Sequence, residues 1–81
     1  MSAVRDNVHA FIVKNFYVGA EGVTDGESLL DRGIVDSTAI LEVISFLEET
    51  FAIRVDDSEI VPENLGSIAS IARFVDGKRQ G

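Results

Sequence analysis

Apolar side chains return every three or four residues at Val4, Val8, Phe11, Ile12 and Phe16, while Arg5, Asp6, Asn7 and Lys14 fall on other faces. That spacing predicts an amphipathic helix over residues 3 to 17, with Ser2 placed to cap it. Gly19, Gly22 and Gly26, with Glu21 and Asp25 between them, then break the period. They begin a connection of roughly 19 residues that runs to Asp36. Such length is uncommon in a small domain unless the segment has structure or function of its own. Leu29, Leu30, Ile34 and Val35 give it an apolar inner side. A packed loop with a short helical turn at Ser28-Leu29-Leu30-Asp31 is therefore expected, with Gly33 supplying a backbone angle that the turn needs.

Ile40, Ile44, Leu47 and Phe51 follow the i, i+4, i+7, i+11 pattern of a second helix, and Val43 widens the stripe. Asp36 stands where an N-cap belongs, its carboxylate placed to accept from the backbone N–H of Thr38 or Ala39. A cap of this kind contributes about 1 kcal/mol and makes Ser37 the first helical residue. Ala52-Ile53-Arg54-Val55 alternates but is too short for an independent strand, and reads as a linker anchored by Ile53. Asp56 or Asp57 is expected to cap a short third helix through Ile60-Val61 that Pro62 ends. Asn64 to Ser67 lead into a last helix with Ile68, Ile71, Ala72 and Val75 inward, stopped at Gly77 and followed by the basic tail Lys78-Arg79. Three longer helices and one short helix make an all-α four-helix bundle with a long, packed loop after the first helix. Residues 1–81 form a single domain.

Composition narrows the chemistry. With 46% hydrophobic and 26% charged residues the chain can fold, but 81 residues leave little room for an internal catalytic cavity. Fourteen acidic against 7 basic residues give a net charge of −7, which repels nucleic acid and anionic lipid and favours encounter with basic protein surfaces. The absence of cysteine excludes disulfides, thiolate catalysis and cysteine-based metal sites. No apolar run approaches the ~18 residues needed to span a bilayer, and no signal-like core opens the chain, so a cytoplasmic location is expected. His9 is the lone histidine, expected partly outward, with no serine or acid at a spacing that would make a catalytic set. Asp25-Gly26-Glu27 and Asp56-Asp57-Ser58-Glu59 do not fit the calcium-loop pattern. Gly19, Gly22 and Gly26 lack the lysine and the strand-to-helix context of a phosphate-cradling loop. The chain is expected to be neither an enzyme nor a metal binder.

Ser37 is the remaining candidate. At the head of the second helix its hydroxyl is exposed and has no base beside it, so it suits attachment better than nucleophilic attack. The helix dipole and unpaired backbone N–H groups there would stabilise a phosphate ester. The same residue types also make an ordinary polar helix start.

Ser28-Leu29-Leu30-Asp31, Gly33, Val35-Asp36-Ser37, Glu42 and Leu47-Glu48-Glu49-x-Phe51 together resemble the acyl carrier protein family over nearly the whole chain. The aspartate–serine pair is the most specific part. The resemblance implies that Ser37 is esterified with the 4′-phosphopantetheine arm of coenzyme A, whose thiol holds an acyl or aminoacyl group as a thioester. It implies that Asp36 assists recognition by a phosphopantetheinyl transferase. Other implied partners are an acyl- or aminoacyl-activating ligase and acyl-transfer or synthase enzymes of fatty-acid, lipid or secondary-metabolite synthesis. Their basic, partly apolar surfaces would meet Glu42, Glu48 and Glu49, with Leu41 and Val55 as apolar contacts. A monomer without nucleic-acid or membrane-spanning roles is implied. Ile44, Leu47, Ile60, Ile68 and Ile71 could line a space for cargo between the helices, but each is more simply explained as core.

Two departures from the family pattern stand beside the serine. Thr38 replaces a large apolar residue, and Ala39 stands where carriers of primary fatty-acid synthesis commonly have an acid. They point to a specialised, stand-alone carrier serving a dedicated ligase or synthase. Two other readings stay open: an aminoacyl, D-alanyl or peptidyl carrier with the same arm, and an unmodified helical interaction module.

Overall fold

The computed structural model describes residues 3–80. Helices α1 (Ala3–Asn15), α2 (Ile40–Phe51), α3 (Pro62–Leu65) and α4 (Ile68–Gln80) follow in order, with a single 3₁₀ turn at Asp57–Glu59 before α3. Three longer helices and one short one, with no strand among the described residues, make the all-α bundle that the periodicity predicts. Ser2, the expected cap of the first helix, lies outside the described residues.

Helix α1 buries Val4, Val8 and Ile12 and lies along α4. It ends two residues before the expected limit, where Asn15 Nδ2 donates to Phe11 O at 2.9 Å and competes for the last turn. Every part of the chain contributes to one core. Val8, Ile12, Leu29, Val35, Val43, Leu47, Ile68, Ile71 and Val75 are almost wholly shielded from water. Burying a side chain of this size stabilises by roughly 1.5–3 kcal/mol, so the two loop residues, Leu29 and Val35, count as much as helical ones.

The segment between α1 and α2 is ordered by its own bonds. Ser28 Oγ accepts from Asp31 N, Arg32 N donates to Ser28 O, and the N–H groups of Ile34 and Val35 both reach Leu29 O, at 3.0 and 3.2 Å. Gly33 closes this expected turn at φ +70°, a conformation that costs glycine nothing. The Arg32 guanidinium spans the rest, donating to Gly22 O at 2.7 Å and Val18 O at 3.0 Å. It also pairs with Glu27 and Glu21, each at 2.9 Å. Arg5 holds Asp25, with Arg5 Nε 2.7 Å from Asp25 Oδ2, while Asp25 O accepts from Ala69 N at the start of α4. Leu30 departs from expectation: it stays 46% exposed while Leu29, Ile34 and Val35 are buried.

Helix boundaries in the second half of the chain also differ from the sequence reading. Pro62 begins α3 instead of ending a helix: proline has no N–H to lose at a first helical position, and its fixed φ suits the helix. The expected helix through Ile60-Val61 shrinks to the Asp57–Glu59 turn, where Glu59 N donates to Asp56 O and Glu59 Oε1 accepts from Asp56 N. Asn64 and Leu65 consequently belong to α3, and Ser67 Oγ accepts from Ser70 N to start α4. Gly77 does not stop the last helix, which runs to Gln80. Lys78 Nζ reaches Glu59 Oε1 at 2.7 Å, and Arg79 lies over the Phe51 ring at 5.8 Å. These anchors, with basic residues at the favourable end of the dipole, offset the ~1 kcal/mol cost of an internal glycine.

The loop bonds leave an electrostatic signature. The backbone N–H and hydroxyl of Thr24, and then Arg32, hold the Glu27 carboxyl below its ordinary range. The Arg5 guanidinium does the same for Asp25, and Lys78 followed by the Asp56 N–H for Glu59. A carboxylate whose folded pKa is depressed stabilises the fold above its unfolded pKa, and loses that contribution as pH falls through the folded value. Glu27→Gln is therefore expected to lower the urea midpoint at neutral pH. The deficit should close as pH falls below the ordinary glutamate value of 4.5. Urea titrations of both proteins across that window check this, and a deficit independent of pH would contradict it.

Candidate functional site

The start of α2 is set by one carboxylate. Asp36 Oδ1 accepts from Thr38 N at 3.0 Å and Ala39 N at 2.6 Å, and Asp36 O accepts from Ile40 N at 3.0 Å. Both donors named from the sequence are used. Leu41 N then bonds Thr38 O and Glu42 N bonds Ala39 O, so residues 37–39 form a tight turn and the regular helix begins at Ile40. Ser37 is thus a turn residue, not the first residue of the helix. The backbone N–H groups just after it, from Thr38 to Leu41, all have partners, so the expected reserve of unpaired donors beside Ser37 is spent.

Ser37 itself is exposed, and among the described residues its hydroxyl has no hydrogen-bond partner. It stands on the lip of a groove of about 240 Å³ formed with Leu30, Ile40, Ile60, Pro62 and Leu65. No charged side chain lines this groove. Its volume lies below the roughly 300 Å³ at which drug-sized pockets begin, so it accepts a short apolar segment. Gly66 fixes the far wall. Its N–H donates to Pro62 O and its carbonyl accepts from Leu29 N, both at 2.8 Å, and a Cβ there would lie 2.5 Å from Pro62 O.

The other candidate residues separate into two groups. Leu41, 59% exposed, shares a shallow cleft on the opposite flank of α2 with Glu42 and Glu49. Neither glutamate has an ion pair among the described residues. Glu48 instead holds the linker in place, since its Oε2 accepts from Val55 N at 3.0 Å, and Val55 is half-buried against the core. Thr38 is exposed, whereas Ala39 is half-buried against the core. Of the five residues weighed as a cargo lining and read more simply as core, only Ile60 lines the groove. Ile44, Leu47, Ile68 and Ile71 are core residues, because the inward stripe is already filled by side chains from α1 and the loop. Among the described residues no cluster of three or more acidic or histidine side chains is placed to hold a metal ion.

Phe46 is the residue that periodicity did not single out, and Leu30, expected inward, instead lines the groove. Phe46 stacks on Phe11 of α1 with ring centroids 4.1 Å apart and planes at 15°. An aromatic residue off the Ile40–Phe51 stripe was the available sign that α2 has a second apolar face. Ser37 thus offers an exposed hydroxyl, with no base bonded to it among the described residues, beside an uncharged groove.

No protein-family model matches the chain. The acyl carrier protein of Campylobacter fetus subsp. fetus (strain 82-40) is 30% identical over 78 residues, covering 96% of this chain and 99% of the relative. That of Campylobacter curvus (strain 525.92) is 30% identical over 74 residues, covering 91% and 94%. A solved structure described as a crystal structure of an FAD-dependent dehydrogenase superposes with a TM-score of 0.68 at 18% identity. It covers 89% of this chain and 97% of that one. At that identity the likeness carries the fold alone.

Removing the cap tests this geometry. Asp36→Ala is expected to cost about 1 kcal/mol, read as a lower denaturant midpoint at unchanged slope, with faster amide exchange at Thr38 and Ala39. Asp36→Asn should restore most of it. Unchanged exchange at those two amides in Asp36→Ala would contradict the cap.

Proposed function

This chain belongs to the acyl carrier protein family, and on that premise we propose that Ser37 is the attachment point of a 4′-phosphopantetheine arm that carries an acyl cargo. The protein is a carrier and not an enzyme. The observation that carries the attachment reading is a free, exposed serine hydroxyl on the lip of an apolar groove, directly after the aspartate that caps the turn leading into α2. The residues present fit the arm: the hydroxyl is open to esterification, and Leu30, Ile40 and Ile60 offer apolar contact beside it. The arm supplies a thiol that holds the cargo as a thioester.

The chain's own part is presentation. Asp36 fixes the turn through Oδ1, and its Oδ2 has no partner among the described residues, so a phosphopantetheinyl transferase can read it. An uncharged groove of about 240 Å³ favours a short apolar acyl group. Tethering raises the concentration of cargo seen by each docked enzyme. Docking itself relies on Leu41, Glu42 and Glu49, with Glu48 and Val55 shaping the adjoining linker. Exposed acids make that contact transient and salt-sensitive. The partners are a transferase, an acyl-activating ligase and acyl-transfer or synthase enzymes with basic docking surfaces. Thr38 and Ala39 suit a specialised carrier with a dedicated ligase. No helix among the described residues is long and apolar enough to cross a membrane, and a cytoplasmic setting, where coenzyme A is available, is part of the proposal.

Incubation with coenzyme A and a broad-specificity phosphopantetheinyl transferase is expected to add one arm to the wild-type chain and none to Ser37→Ala, as read by intact mass. A wild-type chain that gains nothing while a control carrier is loaded, or a Ser37→Ala chain that still gains the arm, would overturn the assignment.

A further inference from the structure

One wall of the Ser37 groove is formed by Ile60, Val61, Pro62 and Leu65, and its two ends are held in different ways. At the α3 end the hold is backbone and core: Leu29 N donates to Gly66 O, Gly66 N donates to Pro62 O, and Leu65 is buried. At the other end, residues 56–61 bond with one another and with α3. Glu59 N and Ile60 N donate to Asp56 O and Asp57 O, Val61 N donates to Glu59 O, and Asn64 Nδ2 donates to Glu59 O at 2.9 Å. Among the described residues a single polar contact ties this stretch to another part of the fold: Lys78 Nζ, in the last turn of α4, lies 2.7 Å from Glu59 Oε1.

Both partners of this pair are mostly shielded from water, at 26 and 28% exposure, so solvent screens it less than a fully exposed pair. The same carboxylate oxygen accepts from Asp56 N at 3.0 Å, which joins the 3₁₀ turn and α4 at one point. The Lys78 ammonium also lies 5.7 Å from the centre of the Phe74 ring, and this keeps the long side chain against its own helix. Ile60 and Val61 follow Glu59 directly, so the position of that carboxylate sets where they stand relative to Leu30 and Ile40 across the groove. Sheltering one more methylene group gains about as much as an ion pair of this kind contributes. The pair is therefore matched in strength to a choice between chain lengths.

We propose that the Lys78–Glu59 pair is a latch that sets the aperture of the Ser37 groove and so limits the length of the acyl chain it shelters. Closed, the latch holds Ile60 and Val61 in place and the groove takes a short chain. With the pair broken, this end of the wall is free to move outward while the Gly66 end stays pinned, and a longer chain fits. Lys78 is a positioning residue, since it lines no part of the groove itself. The inference rests on the carrier reading for the cargo, and it adds a selectivity that the groove lining alone does not assign.

The test compares wild type with three variants. Lys78→Met keeps an apolar side chain beside Phe74, Lys78→Arg keeps the charge, and Arg79→Met removes a neighbouring cation while leaving the pair. In the unmodified chains, amide exchange at Ile60 and Val61 is expected to rise several-fold in Lys78→Met alone, with Leu29 and Gly66 unchanged. Each chain is then loaded from hexanoyl- and from decanoyl-coenzyme A by a broad-specificity phosphopantetheinyl transferase. Nuclear Overhauser contacts between the acyl methyl group and the Ile60 and Leu65 methyl groups report shelter. Wild type, Lys78→Arg and Arg79→Met should shelter the hexanoyl chain and largely exclude the decanoyl chain, whose contacts should be several-fold stronger in Lys78→Met. Unchanged exchange at Ile60 and Val61 in Lys78→Met, or an equal rise at Leu29 and Gly66, would overturn the latch. So would a ratio of decanoyl to hexanoyl contacts that is the same in Lys78→Met and wild type. A wild-type chain that takes up no arm overturns the carrier reading, and the cargo limit with it, whereas a loaded chain with an unchanged ratio overturns the latch alone.

Discussion

Arg32 donates to two backbone carbonyls, Gly22 and Val18, and to two carboxylates, Glu27 and Glu21, and that convergence ties residues 18–27 to the turn at residues 28–35 ahead of α2. The segment has to pack Leu29 and Val35 into the core without a regular helix to satisfy its own backbone. A planar fork with five donors does this; a lysine, with three donors on one point, would not hold the same spread of acceptors. The pair with Glu21, which is largely exposed, adds little by itself. The bonds to the carbonyls matter more, since an acceptor left unpaired in a packed loop carries a desolvation cost of roughly 1–3 kcal/mol.

Everything proposed for function lies downstream of that loop. Leu29 is buried and bonded to Gly66, and this fixes the distance between the loop and the end of α3. The Gly33 turn then delivers Val35 inward and Asp36 to the start of α2. Asp36 organises the turn that presents Ser37, with the groove between loop, α2 and α3 beneath it. Helix α2 serves both flanks: one wall of that groove through Ile40, and the acidic, aromatic-floored cleft through Leu41, Glu42, Phe46 and Glu49. The proposed carrier role thus rests on two separate surfaces of one helix, the groove beside Ser37 and the cleft on the opposite flank.

The parts legible in the sequence were those governed by short-range rules. Periodicity located α1, α2 and α4, the cap at Asp36 followed from residue type, and the Gly33 turn followed from the need for a positive φ. What escaped depended on distant partners. Pro62 is ambiguous locally, since it can close one helix or open the next, and packing of Leu65 beneath α4 settles it. Gly77 reads as a stop until Lys78 finds Glu59, 19 residues away. The split between Leu41, Glu42 and Glu49 on one side and Glu48 with Val55 on the other required the linker's path. The aromatic stack required knowing that α1 and α2 meet at Phe11 and Phe46.

Site-resolved hydrogen exchange on Arg32→Lys tests most directly whether the clasp positions the site. Amides bonded within the loop and its cap, at Ile34, Val35, Thr38 and Ala39, are expected to lose protection by about ten-fold while those of α4 keep theirs. Unchanged protection at those four amides, or an equal loss throughout α4, would contradict a clasp that acts on the loop and on the presentation of Ser37.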